Sequence, residues 1–145
     1  MSRTHAILAV PAAIGTAVIL LTGCGSNSTE KTQENVTQAC TAAQAFAGAV
    51  KGFEDTLKPG ATVGEIQSAR DEVKKTHDDL VKASQDVAKD RTNELNKATD
   101  EFDKAVNDIP DDATVSQAID SLRNEAASVK SALQGLRTDL KCPAS

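Results

Sequence analysis

The chemically capable groups of this 145-residue chain are few: three cysteines (Cys24, Cys40 and Cys142), one histidine in the body of the chain (His77) and small clusters of aspartate. A thiol serves as nucleophile, metal ligand or half of a disulfide, and its surroundings decide which. Cys24 directly follows Leu21-Thr22-Gly23, at the end of an almost unbroken apolar run from Ala6 to Leu21 that is preceded by Arg3. A basic start, an apolar stretch and small residues at its end form the pattern of an export signal. The run contains Pro11 and Gly15 and falls short of the ~20 apolar residues a spanning helix requires, so cleavage ahead of Cys24 is expected.

At all four positions, Leu21-Thr22-Gly23-Cys24 resembles the lipobox of bacterial lipoproteins. The resemblance implies that residues 1–23 are a lipoprotein signal peptide. It also implies that the Cys24 sulfur takes a diacylglycerol as a thioether and that Cys24 becomes the first residue of a chain anchored on the extracytoplasmic face of the cell membrane. Two or three acyl chains hold far more firmly than one, since each buried methylene contributes about 0.8 kcal/mol. The membrane, through this lipid, is then the chain's first partner.

Without residues 1–23, fifteen Lys and Arg remain against 21 Asp and Glu, and the formal charge moves from −5 to −6. An acidic body is repelled by phosphate backbones and anionic headgroups, which argues against nucleic acid as a partner. Trp and Tyr are absent, and Phe46, Phe53 and Phe102 are the only aromatic residues, so stacking platforms for bases or sugars are lacking as well.

Residues 24–34 are polar and without apolar periodicity, and read as a flexible tether to a helical domain over residues 35–145. From Val36 the apolar rows are helical: Val36, Ala43, Val50 and Leu57, with Ala39, Phe46 and Phe53 beside them. Lys58-Pro59-Gly60 stops this helix. Thr62-Val63-Gly64-Glu65 supplies a capping box for the next, whose core row is Ile66, Val73, Leu80 and Val87 with Ala69, Thr76 and Ala83 as companions. The row then slips by one residue at 89–93 and restarts at Leu95, Phe102 and Ile109, with Ala98 and Ala105 as its companions. The slip is either a turn or a skip inside one long helix. Pro110 ends that region, Thr114 to Gln117 forms a second capping box, and Val115, Ile119, Leu122, Ala126, Val129, Leu133, Leu136 and Leu140 mark the core face of the last helix.

The fold class is therefore all-α, an antiparallel bundle of four helices or of three with one long central helix. Cys40 lies in the first turns of the first helix and Cys142 just past the last, and an even pair in an exported chain favours a disulfide. Both topologies bring the two cysteines together. Four helices are preferred, because each apolar row is then buried against more than one neighbour.

A search for catalytic chemistry is mostly negative. His77 has no second donor one helical turn away, so it reads as a partly exposed polar position and not as a metal ligand. Asp108, Asp111 and Asp112 lack the glycine and the alternating donors of a calcium loop and read as a helix stop. Gly48 and Gly52 on a slim, alanine-rich first helix read as close packing in the bundle. A sharper alternative is that small residues beside Phe46 and Phe53 leave room for an apolar ligand between helices.

With Cys24, Cys40, Cys142 and an Ala/Asp/Lys-rich, aromatic-poor composition, the chain resembles the small alanine-rich secreted lipoproteins of actinobacteria. That group carries no recognised site motif, so the resemblance implies a helical body without assigning functional residues. The expected function is a non-catalytic interaction or structural module of the cell envelope with no cofactor and with an envelope protein as a possible partner. The alternative is a carrier of a lipidic or other apolar ligand.

Overall fold

The computed structural model describes residues 26–110 and 115–144. Four helices, α1 (Ser26–Thr56), α2 (Val63–Ser84), α3 (Lys89–Asn107) and α4 (Val115–Asp139), form an up-down-up-down bundle in which α1 and α3 each pack against α2 and α4. The slip in apolar period is a turn between two helices, but the turn lies at residues 85–88, ahead of the expected 89–93, which form the first turn of α3. Residues 85–88 close it without glycine or proline: the Val87 and Ala88 amides both donate to the Ser84 carbonyl, at 3.1 and 2.9 Å, so the carbonyl ending α2 stays satisfied. Cys24 and the signal segment, the second capping box at Thr114, and Asp111 and Asp112 lie outside the described residues.

One expectation is corrected at the start of α1. The segment 26–34, read as part of a flexible tether, is helical from Ser26 onward. Neither Gly nor Pro occurs between Ser26 and Ala47. Once Ala39, Ala43 and Phe46 are packed, extending the helix toward its N-terminus costs little, because nucleation and not propagation is the expensive step. Thr37 and Thr41 fold their hydroxyls back onto the carbonyls of Gln33 and Thr37, each at 3.0 Å, which suits polar side chains on an exposed helix.

The core rows of α1 and α4 fall where the sequence puts them. Ala39, Ala43, Phe46, Val50, Phe53 and Leu57 are buried, and so are Ile119, Leu122, Ala126, Val129, Leu133, Leu136 and Leu140. Phe53 and Phe102 meet edge to face across the bundle diagonal, with centroids 4.6 Å apart, an arrangement that suits the ring quadrupoles. Arg123 donates to the Leu57 carbonyl at 2.9 Å and Lys130 pairs with Glu54 at 3.1 Å, fixing α4 along the C-terminal half of α1.

On α2 and α3 the buried stripe is turned one residue from the expected companion rows. His77 and Ser84 are buried where Thr76 and Ala83 were expected, Thr99 and Val106 take the places assigned to Ala98 and Ala105, and Thr92 continues their row toward the turn. The small row of α2 faces the groove beside α1, so the row leading toward α3 is the polar one.

Both ends of α2 and the end of α4 show how local chemistry sets boundaries. Gly60 takes φ 91°, a left-handed turn that favours glycine. Thr62 and Glu65 then close the capping box, with the Glu65 amide donating to Thr62 Oγ1 at 3.2 Å and the Thr62 amide donating to Glu65 Oε2 at 2.8 Å. At the end of α4, Lys141 is left-handed (φ 55°), its amide donates to the Thr138 carbonyl and the Cys142 amide to that of Arg137. This is the Schellman pattern. It carries Cys142 back onto α1, where its sulfur is 1.99 Å from that of Cys40 and the Cα atoms are 5.4 Å apart.

Two outcomes follow for stability. Replacing Cys40 and Cys142 together by serine releases a crosslink across 102 residues and is expected to cost about 4–5 kcal/mol in the chain-entropy account. Urea midpoints of oxidised wild type and double variant measure it, and equal midpoints would contradict the assignment. The hydrogen bonds from the Thr62 amide and hydroxyl hold the Glu65 carboxyl below its ordinary 4.5. Its contribution is therefore complete above that pH and is lost as pH falls through the lowered value. Glu65→Gln should lack this part of the acid-side decline in helix content by circular dichroism.

Candidate functional site

Along the line where α2 meets α3, polar residues recur every seven positions: Arg70, His77 and Ser84 on one helix, Thr92 and Thr99 on the other. Antiparallel packing sets them opposite one another as three rungs. The rung nearest the 85–88 turn is closed: Ser84 Oγ and Thr92 Oγ1 lie 3.1 Å apart, and one hydroxyl donates to the other while the second donates to a carbonyl within reach, that of Leu80 for Ser84 or Ala88 for Thr92. The far rung is closed by charge. Arg70 Nη1 donates to Asp103 Oδ1 at 3.0 Å, Lys74 Nζ lies 3.7 Å from Asp103 Oδ2, and Asn107 donates to the same carboxylate at 3.3 Å.

The middle rung is open. His77 and Thr99, 8% and 5% exposed, face a cavity of about 90 Å³ that is also lined by Arg70, Val73, Lys74, Asp78, Asp100, Phe102 and Asp103. His77 Nε2, Thr99 Oγ1 and, away from this cavity, Asn96 Oδ1 are buried and have no hydrogen-bond partner among the described residues, while Arg70 Nε, also without a hydrogen bond, lies 3.4 Å from Asp71 Oδ1. A buried polar atom in that state costs about 1–3 kcal/mol. Two of these atoms, on His77 and Thr99, belong to the middle rung.

His77 was expected to be partly exposed, and the structure corrects that. Its ring packs against Phe46 with centroids 5.8 Å apart, and its Nδ1 lies 3.6 Å from Asp78 Oδ1. The helix turn that carries the polar row inward carries His77 with it. Among the described residues no group of three or more His, Cys, Asp or Glu side chains is arranged to hold a metal ion.

The glycines of α1 also differ from expectation. Gly48 and Gly52 were read as close packing in the bundle, yet a Cβ at either would meet nothing within 4 Å. They lie on a shallow outer groove between α1 and α2, with Ala45, Ala49, Ala69, Glu72 and Thr76 along it and Phe53 beneath. Phe46 and Phe53 are themselves fully buried, one against His77 and the other against Phe102. Of the two, Phe53 lines the open groove between α1 and α2 and Phe46 does not.

Arg70, Thr99 and Asp103 stand at the α2–α3 seam without being marked by the apolar rows. The signal was present in the seven-residue recurrence of Arg70, His77 and Ser84, but the small residues one position earlier made an equally regular row. Comparison with protein-family models, curated proteins and solved structures gives no match.

Because nothing crowds their Cα atoms, Gly48→Ala and Gly52→Ala should stabilise α1, together by about 1–2 kcal/mol, through helix propensity alone. Thermal unfolding of the double variant measures this, and a lowered midpoint would show that the groove is occupied in the folded protein.

Proposed function

We propose that this chain is a membrane-anchored lipoprotein of the cell envelope whose helical body is a non-catalytic interaction or structural module. The sequence basis is Leu21-Thr22-Gly23-Cys24 with the apolar run before it. The observation that carries the reading from the structural side is the Cys40–Cys142 pair at bonding distance. Disulfides persist in oxidising, extracytoplasmic compartments. Export and the crosslink therefore point to the same location by separate routes.

An anchor at Cys24 would also give the body a defined orientation. Cys40, Cys142 and the 85–88 turn share the end of the bundle from which α1 extends back to Ser26, two residues after Cys24. The opposite end carries the 58–62 turn, which in this reading faces away from the lipid. Among the described residues no helix is long and apolar enough to cross a membrane, so the anchoring role in this reading falls to Cys24.

Mass spectrometry of the protein recovered from cells tests the proposal. The expected species begins at Cys24 and carries a diacylglyceryl group, while Cys24→Ser accumulates as uncleaved precursor without added lipid. Wild-type protein cleaved before residue 24 but free of acyl chains would overturn it.

A further inference from the structure

We infer that the outer groove between α1 and α2 is the contact surface for a second copy of this chain, the two copies being related by a two-fold axis that runs along the helices. Small side chains floor the groove. On α1 it passes Ala45, Gly48, Ala49 and Gly52, and on α2 it runs from Thr76 to Ala69 and continues past Ser68 and Gly64. Gly48 and Gly52 leave open space where a Cβ would stand, so a partner helix can approach the α1 backbone closely. No described residue fills that space.

The charged edges of the groove identify the occupant. Lys51 and Lys58, seven residues apart, stand along the α1 edge, and Glu65, Glu72 and Asp79, at the same spacing, stand along the α2 edge. All five are exposed. Asp55 lies between the lysines and Lys75 among the acids, so the α1 edge stays net positive and the α2 edge net negative. The Phe46–His77 contact sets the antiparallel register in which Lys51 is level with Glu72 and Lys58 with Glu65, and Lys58 is close enough to attract the Glu65 carboxylate. A two-fold axis along the helices lays α1 of one copy over α2 of the other at equal heights. Basic edge then meets acidic edge on both sides of the contact, as flanking charges do when they select a partner helix. The other isologous arrangement, with its axis across the helices, sets α1 on α1 and lysine on lysine. Lys51 pairs with Asp55 at 2.8 Å within the chain, but both side chains are well exposed, and a surface pair of this kind is readily exchanged.

Two helix faces about 20 Å long and 10 Å wide give a footprint of roughly 400 Å² per copy, half that of a standard interface. The pair is therefore weak, with a Kd on the order of 0.1 mM, and being isologous it closes at two copies. Thermal unfolding at micromolar concentration reads the free monomer, so the gain expected from alanine at Gly48 and Gly52 is unchanged. An axis along the helices also leaves Ser26 of both copies at the same end, as two chains anchored in one membrane require. That agreement rests on the anchoring proposed above, whereas the groove and its charged edges do not.

Sedimentation velocity of the full-length protein in detergent, with micelles in excess over protein, tests the inference, and mass spectrometry of the same sample scores lipid on Cys24 separately. Wild type is expected to pass from monomer to dimer across about 0.01–1 mM. Gly48→Leu adds a side chain on an exposed helical face, so it folds, and it should weaken the dimer about tenfold or more. Lys51→Glu and Glu72→Lys should each do the same alone, while an equimolar mixture of the two recovers a dimer, because in the mixed pair residues 51 and 72 meet as opposite charges at both contacts. That recovery separates contact between copies from an effect inside one chain. A wild type that stays monomeric up to about 1 mM would overturn the assignment and leave the groove to a different protein. A dimer untouched by folded Gly48→Leu, or a mixture as monomeric as its components, would overturn it as well, whether or not Cys24 carries lipid.

Discussion

The Cys40–Cys142 crosslink holds the first and last helices 5.4 Å apart at their Cα atoms, at the end of the bundle where α1 enters and α4 leaves. In an up-down-up-down arrangement these helices are neighbours, but nothing in the connectivity between them joins α1 to α4. Packing and this bond do. The core is built from aliphatic and small residues with only three aromatic rings, and such a core gains less per residue than one rich in large side chains. Ala39, Cys40 and Leu140 are buried around the crosslink, and the left-handed Lys141 immediately before Cys142 is tolerated because the helix end and the sulfur bond fix the chain on both sides of it.

Opposite this covalent seam lies a polar one. The contacts between α2 and α3 interleave aliphatic side chains with Ser84–Thr92, His77–Thr99 and Arg70–Asp103, and a longitudinal shift of one helix against the other would separate at least two of those pairs. Buried polar groups contribute little net stability, yet they penalise alternative registers strongly. The helices joined by the shortest turn are thereby fixed in register by hydrogen bonding, whereas α1 and α4 are fixed by a covalent bond. The middle rung stands apart because its polar atoms do not satisfy one another.

Much of this was legible in the sequence. The rows on α1 and α4, the Pro59-Gly60 stop and the Thr62–Glu65 capping box follow from periodicity and from the chemistry of helix ends, which are local properties. The boundary at residues 85–88 was visible only as a slip in period, because Gln85, Asp86, Val87 and Ala88 include no strong breaker and the turn is made by backbone bonds to Ser84. The buried row of α2 was misplaced by one residue, since Ala69, Thr76 and Ala83 are as regular as Arg70, His77 and Ser84. Only the position of α3 decides which row turns inward. The helical start at Ser26 has no signature in the sequence because a polar stretch without apolar residues shows no periodicity.

Every connection between helices lies between residues 40 and 142. The 58–62 turn, the 85–88 turn and the chain from 110 to 115 can therefore each be cut without releasing a piece of the molecule. A protease that severs an exposed turn produces a two-chain protein whose halves stay joined through sulfur and can re-pair in place, and separation requires a reductant as well as a cut. In the extracytoplasmic location proposed for it, where proteases are common and reductants scarce, durability would depend less on resisting the first cleavage than on keeping one bond oxidised.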